Sequence, residues 1–148
     1  MEPIQKVLAA IDFSDTTMPV VNTILRLHYT FFPEFVLLHV IGTRIIENLQ
    51  QTSSLSLEDA MEFAQKELEP LWKKILPLLD EAEVKYQRLF RRGIPHQMIA
   101  KTAAEESCDL ILMGCHSHLG IAELFLGNTA KKIFQETNLP VIFVKPEE

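Results

Sequence analysis

The chain has 148 residues, with 14 lysines and arginines against 20 aspartates and glutamates, which gives a formal net charge of −6. Apolar residues make up 47% and charged residues 23%, values that exclude a disordered or collagen-like chain. The acidic balance argues against binding to duplex nucleic acid, because such a protein needs a basic face to neutralise phosphates. The length predicts a single domain over residues 1–148.

The predicted location follows from the cysteines and from the hydropathy of the chain. Cys108 and Cys115 are too few for a disulfide framework, so we expect reduced thiols. The N-terminal sequence MEPIQKVLAAID lacks a basic region followed by a long apolar one. Apolar runs are all shorter than the roughly 18 residues that a membrane span requires. These features predict a soluble, cytoplasmic protein.

Five short segments have the composition of β-strands. Four are nearly continuous in apolar residues, which is typical of parallel strands covered on both faces. The third mixes apolar and polar residues and therefore suits an edge of the sheet. The predicted strands are Val7–Ile11, Phe35–Ile41, Val84–Phe90, Leu110–Met113 and Val141–Val144.

Helical patterns separate these strands. Ser56 opens a capping box before a long apolar stripe, in which Pro70 is expected to kink or break the helix. A later helix follows Gly127 and is predicted to turn Ala130, Ile133 and Phe134 inward. The polar segment Thr43–Leu55 is predicted to be a loop. Alternating strands and helices predict an α/β fold, a single doubly wound five-stranded parallel sheet with helices on both faces.

Glycines and polar residues follow the fourth predicted strand. In open α/β sheets, ligands bind beyond the carboxyl ends of the strands, where the strand order reverses. Gly114 stands at such an end, and Gly127-Asn128-Thr129 would place backbone amides at a helix N-terminus, which favours phosphate oxygens. The alternative is that the glycines only permit turns and that Asn128 caps a helix.

From VLAAIDFSD through GIPHQMI and DLILMGCHSHLG to LGNTAKKIF and LPVIFVKP, the chain resembles the universal stress protein family. The nucleotide-binding subgroup of that family carries glycine, two residues, glycine, nine residues, glycine, and then serine or threonine. Gly114 and Gly127 match the first and third glycines, whereas Ser117 and Asn128 depart from the motif. Asn128 can still donate to a phosphate, but the Ser117 side chain would crowd the phosphates or strain the backbone.

The resemblance implies a non-enzymatic stress protein that binds ATP or AMP, with strand order 3-2-1-4-5. Asp12 matches the acid that reaches the nucleoside, although it could instead form an Asx-turn. Val40 matches the position whose backbone meets the adenine, and Ala10 should line the same pocket. The expected nucleotide-binding residues are Ala10, Asp12, Val40, Met113, Gly114, Ser117, Gly127, Asn128 and Thr129.

Two alternative functions stay open at this point. Ser117 favours a nucleotide-free dimeric scaffold that acts through protein contacts. A slow ATP-hydrolysing protein is the other, although the sequence contains neither a P-loop nor a G-x-S-x-G motif. No catalytic residue is predicted. No metal site is predicted either, because Cys115, His116 and His118 lack a second pair of ligands at suitable spacing.

The fifth predicted strand suggests how the protein assembles. The implied strand order leaves Val141–Val144 at an edge, and its four apolar residues offer a template for pairing with another chain. We therefore expect a homodimer through this strand, related by a two-fold axis.

Overall fold

A five-stranded parallel sheet forms the centre of the protein. The structure, a computed structural model, describes residues 2–115 and 128–147. The strand order is β3-β2-β1-β4-β5, and every neighbouring pair is parallel. The predicted fold class and strand order are therefore confirmed. The strands are β1 Lys6–Ala10, β2 Glu34–Gly42, β3 Lys85–Gly93, β4 Leu110–Gly114 and β5 Val141–Val144.

Helices cover both faces of the sheet. Helices α1 and α3 pack on one face, and α4 and α5 pack on the other. In the part of the chain that is described, none of the helices is long and apolar enough to cross a membrane. The helices are α1 Thr17–Phe31, α2 Thr43–Ser53, α3 Leu57–Glu81, α4 Pro95–Glu105 and α5 Asn128–Glu136.

Strand β2 shows why its sequence is nearly continuous in apolar residues. Phe35 and Leu37 pack beneath α1 and α3, whereas Val36 and Leu38 pack beneath α4 and α5. All four side chains are buried, because alternate residues of a strand point to opposite faces and both faces are covered here. The third strand lies at an edge, as its mixed composition predicts.

The prediction of a loop over Thr43–Leu55 is wrong, since α2 occupies residues 43–53. The buried side chain of Ile46 holds this mostly polar helix against Ala60 and Ala64 of α3. The predicted cap of α3 is confirmed, because the Ser56 hydroxyl accepts a hydrogen bond of 3.1 Å from the Asp59 amide.

The interiors of two helices differ in part from prediction. Helix α3 runs through Pro70 and Pro77 without a break, so Pro70 does not end the helix. Both prolines lie on its exposed side, where carbonyl groups that lose an amide partner can bond to water. In α5, Ala130 and Ile133 point inward as predicted, but Phe134 is 73% exposed.

Both cysteines are free thiols buried in the protein. Burial raises the pKa of Cys108 to about 11, so this thiol stays protonated at neutral pH. A protonated, buried thiol is a poor nucleophile and contributes as a small apolar side chain.

Candidate functional site

The strand order reverses between β1 and β4, which defines the candidate site at the carboxyl edge of the sheet. Strand β1 pairs with β2 on one side and with β4 on the other. Asp12 follows the end of β1, and Gly114 is the last residue of β4. Helix α5 returns the chain toward the start of β5, so its first residue, Asn128, lies toward the carboxyl edge. Asp12 and Gly114, which the sequence singled out, thus follow or end the two strands that flank the switch point.

Three predicted pocket residues share one face of the sheet. Ala10, Val40 and Met113 belong to the same apolar cluster, beneath α4 and α5. Thr129 is half-buried in the first turn of α5. Ser117 and Gly127 lie outside the described residues.

Asp12 adopts the Asx-turn that the sequence offered as one of its two roles. Its Oδ1 atom accepts hydrogen bonds from the Ser14 amide at 3.0 Å and from the Ser14 hydroxyl at 2.6 Å. The carboxylate is exposed at the mouth of the site. A carboxylate has two oxygens and about four lone-pair sites, so forming this turn is compatible with accepting further donors from a ligand.

Gly114 is packed against the side chain of Thr16, which is 1% exposed. A Cβ atom placed on Gly114 would overlap Oγ1 and Cβ of Thr16 and would lie 2.9 Å from its Cγ2. The Thr16 hydroxyl also lies 3.0 Å from the Ser14 hydroxyl. The glycine therefore lets the β1–α1 turn approach the end of β4, which places Asp12 and Gly114 on adjoining parts of one edge.

We expect the substitution Gly114→Ala to lower the free energy of unfolding by about 1–3 kcal/mol, because the added methyl group overpacks a closed contact. Chemical denaturation measures the effect. In a Thr16→Gly background the overlapping atoms are absent, and glycine is tolerated as the N-cap of α1. The cost of Gly114→Ala should then fall below about half of its value in the native background. An equal cost in both backgrounds would show that the contact with Thr16 is not its cause.

Phe13 was not singled out by the sequence. It has a φ angle of +58°, in the left-handed region that bulky residues rarely adopt and that costs them about 1–2 kcal/mol. Its ring centroid lies 4.9 Å from that of Trp72, edge-on, and 5.2 Å from that of His39. No sequence signal predicts this conformation, since tertiary contacts impose it.

The half-buried side chain of His39 is bonded to the backbone just before Asp12. Its Nδ1 atom lies 2.7 Å from the carbonyl oxygen of Ile11. Burial lowers the pKa of His39 from its ordinary value, while the bond to Ile11 and the charge of Asp12 act in the opposite direction. The ring is therefore neutral at neutral pH and donates from Nδ1 to the carbonyl.

The amino edge of the sheet differs in character. An open groove there is lined by charged side chains that include Lys6, Glu34 and Lys85. These charges alternate in sign across neighbouring strands, since Glu34 pairs with both lysines in register.

Within residues 2–115 and 128–147, no group of three His, Cys, Asp or Glu side chains is placed to hold a metal ion. His116 and His118 lie beyond the described part of the chain.

Comparison with known proteins agrees with this fold. The sequence profile of the universal stress protein family matches residues 3–145. Universal stress protein MJ0577 of Methanocaldococcus jannaschii is 29% identical, over 95% of this chain and 94% of its own length. The chain therefore belongs to the universal stress protein family.

Solved structures show the same architecture. The structure of MJ0577 superposes with a TM-score of 0.80 at 27% identity and covers 98% of each chain. A universal stress protein in complex with cAMP has a TM-score of 0.65 at 15% identity, covering 99% of this chain and 100% of its own. A universal stress protein from Archaeoglobus fulgidus in complex with dAMP has a TM-score of 0.63 at 17% identity, with coverage of 98% and 100%. At these lower identities, the two complexes show the fold alone.

Proposed function

We propose that this protein is a non-enzymatic stress-response regulator that binds an adenine nucleotide, ATP or AMP, at the carboxyl edge between β1 and β4. The observation that carries the proposal is the switch point itself, where Asp12 follows β1, Gly114 ends β4 and α5 begins toward the same edge of the sheet. Carboxylate oxygens suit ribose hydroxyls or the adenine amino group, and helix amides suit phosphates. The bound cAMP and dAMP of two solved relatives support an adenine nucleotide as the ligand.

The proposed contacts divide between the two ends of the nucleotide. Asp12 and the backbone of Val40 would meet the nucleoside, with Ala10 and Met113 on the apolar face below it. Gly114, Ser117, Gly127, Asn128 and Thr129 would surround the phosphates. The side chain of Ser117 takes up space that a glycine leaves open, so it favours nucleotides with fewer phosphates.

Isothermal titration with ATP, ADP and AMP tests the proposed binding. Heat from at least one nucleotide is expected, and none at high protein concentration would refute the proposal. A Ser117→Gly variant separates binding from the scaffold alternative. If the native chain binds nothing and this variant binds strongly, the native protein is a scaffold with an empty pocket.

We propose that the protein acts by binding the nucleotide and not by hydrolysing it. Efficient phosphoryl transfer requires cationic groups on the phosphates and a positioned nucleophile. His116, His118 and Arg44 are the candidates near the site, whereas Lys131 and Lys132 lie one turn into α5 and are exposed. Phosphate release should therefore fall far below the usual enzyme range of about 1–10³ s⁻¹. Release within that range, lost in a Gly127→Val variant, would overturn the proposal.

We also propose that two copies pair through β5. This strand is an edge of the sheet, and all four of its residues are half-buried. An apolar groove beside it is lined by Phe134, Leu139 and Phe143, among others. The carbonyls of Pro140 and Val144 accept hydrogen bonds from Ile111 of β4 and from Cys115, the residue after β4. The backbone groups of Val141 and Phe143 therefore face the open edge. A second β5 strand would satisfy those groups and cover the groove.

Light scattering tests the dimer against the monomer mass of 16.9 kDa. We expect twice that mass for the native chain at micromolar concentration. The substitution Val141→Pro removes an outward N–H at the first position of an edge strand, where proline is tolerated, and should yield a monomer. Val141→Ala keeps the N–H and should remain a dimer. A native monomer, or a dimer of the folded Val141→Pro variant, would contradict pairing through β5.

A further inference from the structure

We infer that His39 and Phe13 are positioning residues that hold Asp12 in place from either side of it in the chain. His39 fixes Ile11, the residue before Asp12, and the ring of Phe13 fixes the residue after it. The role of Asp12 toward a nucleotide rests on the proposed function, whereas the positioning of its turn is a property of the chain itself.

The contacts of Ile11 tie the chain to β2 just before Asp12. The Ile11 amide donates to the carbonyl of Leu38 at 2.8 Å, and the Ile11 carbonyl accepts from Nδ1 of His39 at 2.7 Å. Ile11 lies beyond the last residue of β1. The imidazole therefore extends the attachment of β1 to β2 by one residue, up to the start of the turn.

The ring of Phe13 fixes the chain just after Asp12. It lies between His39 and the buried Trp72, at centroid distances of 5.2 and 4.9 Å. Its φ angle of +58° is unfavourable for phenylalanine, and we infer that the edge-on contact with the buried Trp72 offsets that cost. Ser14, the next residue in the chain, donates from its amide and from its hydroxyl to Asp12.

Both residues therefore act through the Asx-turn. Loss of either anchor should free the turn, and the carboxylate of Asp12 would then sample positions from which it meets a ligand less often. Because only a fraction of the molecules would hold the binding conformation, the measured affinity would equal the native affinity multiplied by that fraction.

The variants His39→Leu and Phe13→Leu test this inference, with Phe90→Leu as the matched control. Phe90 also contacts both His39 and Trp72, at 6.5 and 6.0 Å between ring centroids, but it lies on β3, away from the turn. The variant His39→Asn keeps a side-chain N–H that can donate to the Ile11 carbonyl and should restore the native behaviour.

The first readout, hydrogen exchange of the Ser14 amide by NMR, needs no nucleotide. We expect exchange to accelerate by about threefold or more in His39→Leu and Phe13→Leu, since the open fraction of the turn rises. The Leu37 amide in the sheet should be unaffected, and His39→Asn and Phe90→Leu should match the native chain. Unchanged Ser14 exchange in both test variants would overturn the inference, as would equal acceleration in Phe90→Leu.

The second readout is the dissociation constant for AMP by isothermal titration. We expect it to rise by about tenfold in His39→Leu and Phe13→Leu, and to recover in His39→Asn. If the native chain binds AMP and both test variants bind equally well, the inference fails while the proposed function stands. If the native chain binds no nucleotide, the proposed function fails, and the exchange of Ser14 alone decides the inference.

Discussion

Replacing Trp72 with alanine is expected to lower the free energy of unfolding by about 3–5 kcal/mol. Trp72 is fully buried in the cluster between the sheet and helices α1 and α3. Its ring supports Phe13 on one side and contacts Phe90 at 6.0 Å, while the Arg88 guanidinium lies over it at 5.4 Å. Truncation removes this surface from the core and leaves a cavity that rigid strands cannot close.

The matched control for Trp72 is Phe63→Ala on the same helix. Phe63 is 47% exposed, so its truncation should cost less than about 1 kcal/mol. Urea denaturation of both variants measures the difference. A cost for Trp72→Ala no greater than that for Phe63→Ala would contradict the central place of Trp72 in the core.

Replacing Asp12 with asparagine is expected to weaken AMP binding by about 10- to 100-fold. Hydrogen bonds to a charged group contribute about 1.5–3 kcal/mol, and each 1.4 kcal/mol corresponds to about tenfold in affinity. The amide oxygen of asparagine can still accept from Ser14, so the turn should persist. The loss of the charge and of one acceptor should therefore lower the affinity for AMP without lowering the stability of the fold.

Asp15→Asn is the charge-matched control for Asp12. It removes the same charge from an exposed side chain in the same segment. Isothermal titration should show AMP affinity within about twofold of the native value in this control. Equal losses in the two variants would indicate a general electrostatic effect, and no loss in Asp12→Asn would remove Asp12 from the site.

Strand composition made most of the fold predictable. Strands such as Phe35–Ile41 are apolar at nearly every position because helices cover both faces, and this pattern is visible without structural data. Helix α2 was missed because its sequence is mostly polar, which is typical of a loop. The helix is held against α3 by its buried residue Ile46, a contact that the sequence does not reveal. Phe134 was misplaced because its helical spacing also fits an inward position, whereas α5 turns it toward the open edge beside β5.

The candidate site was predictable only in part. Asp12 and Gly114 follow from the rule that ligands bind at strand ends, which requires no knowledge of contacts. The contact of Gly114 with Thr16 was not predictable, because it depends on how closely α1 approaches β4. The left-handed conformation of Phe13 opposes its intrinsic preference, so local sequence could not indicate it.

Titration of the ¹⁵N-labelled protein with AMP, followed by NMR, tests most directly whether a nucleotide binds at the carboxyl edge. We expect the amide signals of Asp12, Val40 and Gly114 to shift in a saturable way at AMP concentrations up to about 1 mM. The amides of Lys6 and Lys85, at the opposite edge, should not move. No shift at that concentration, or shifts confined to the amino edge, would contradict the proposed site.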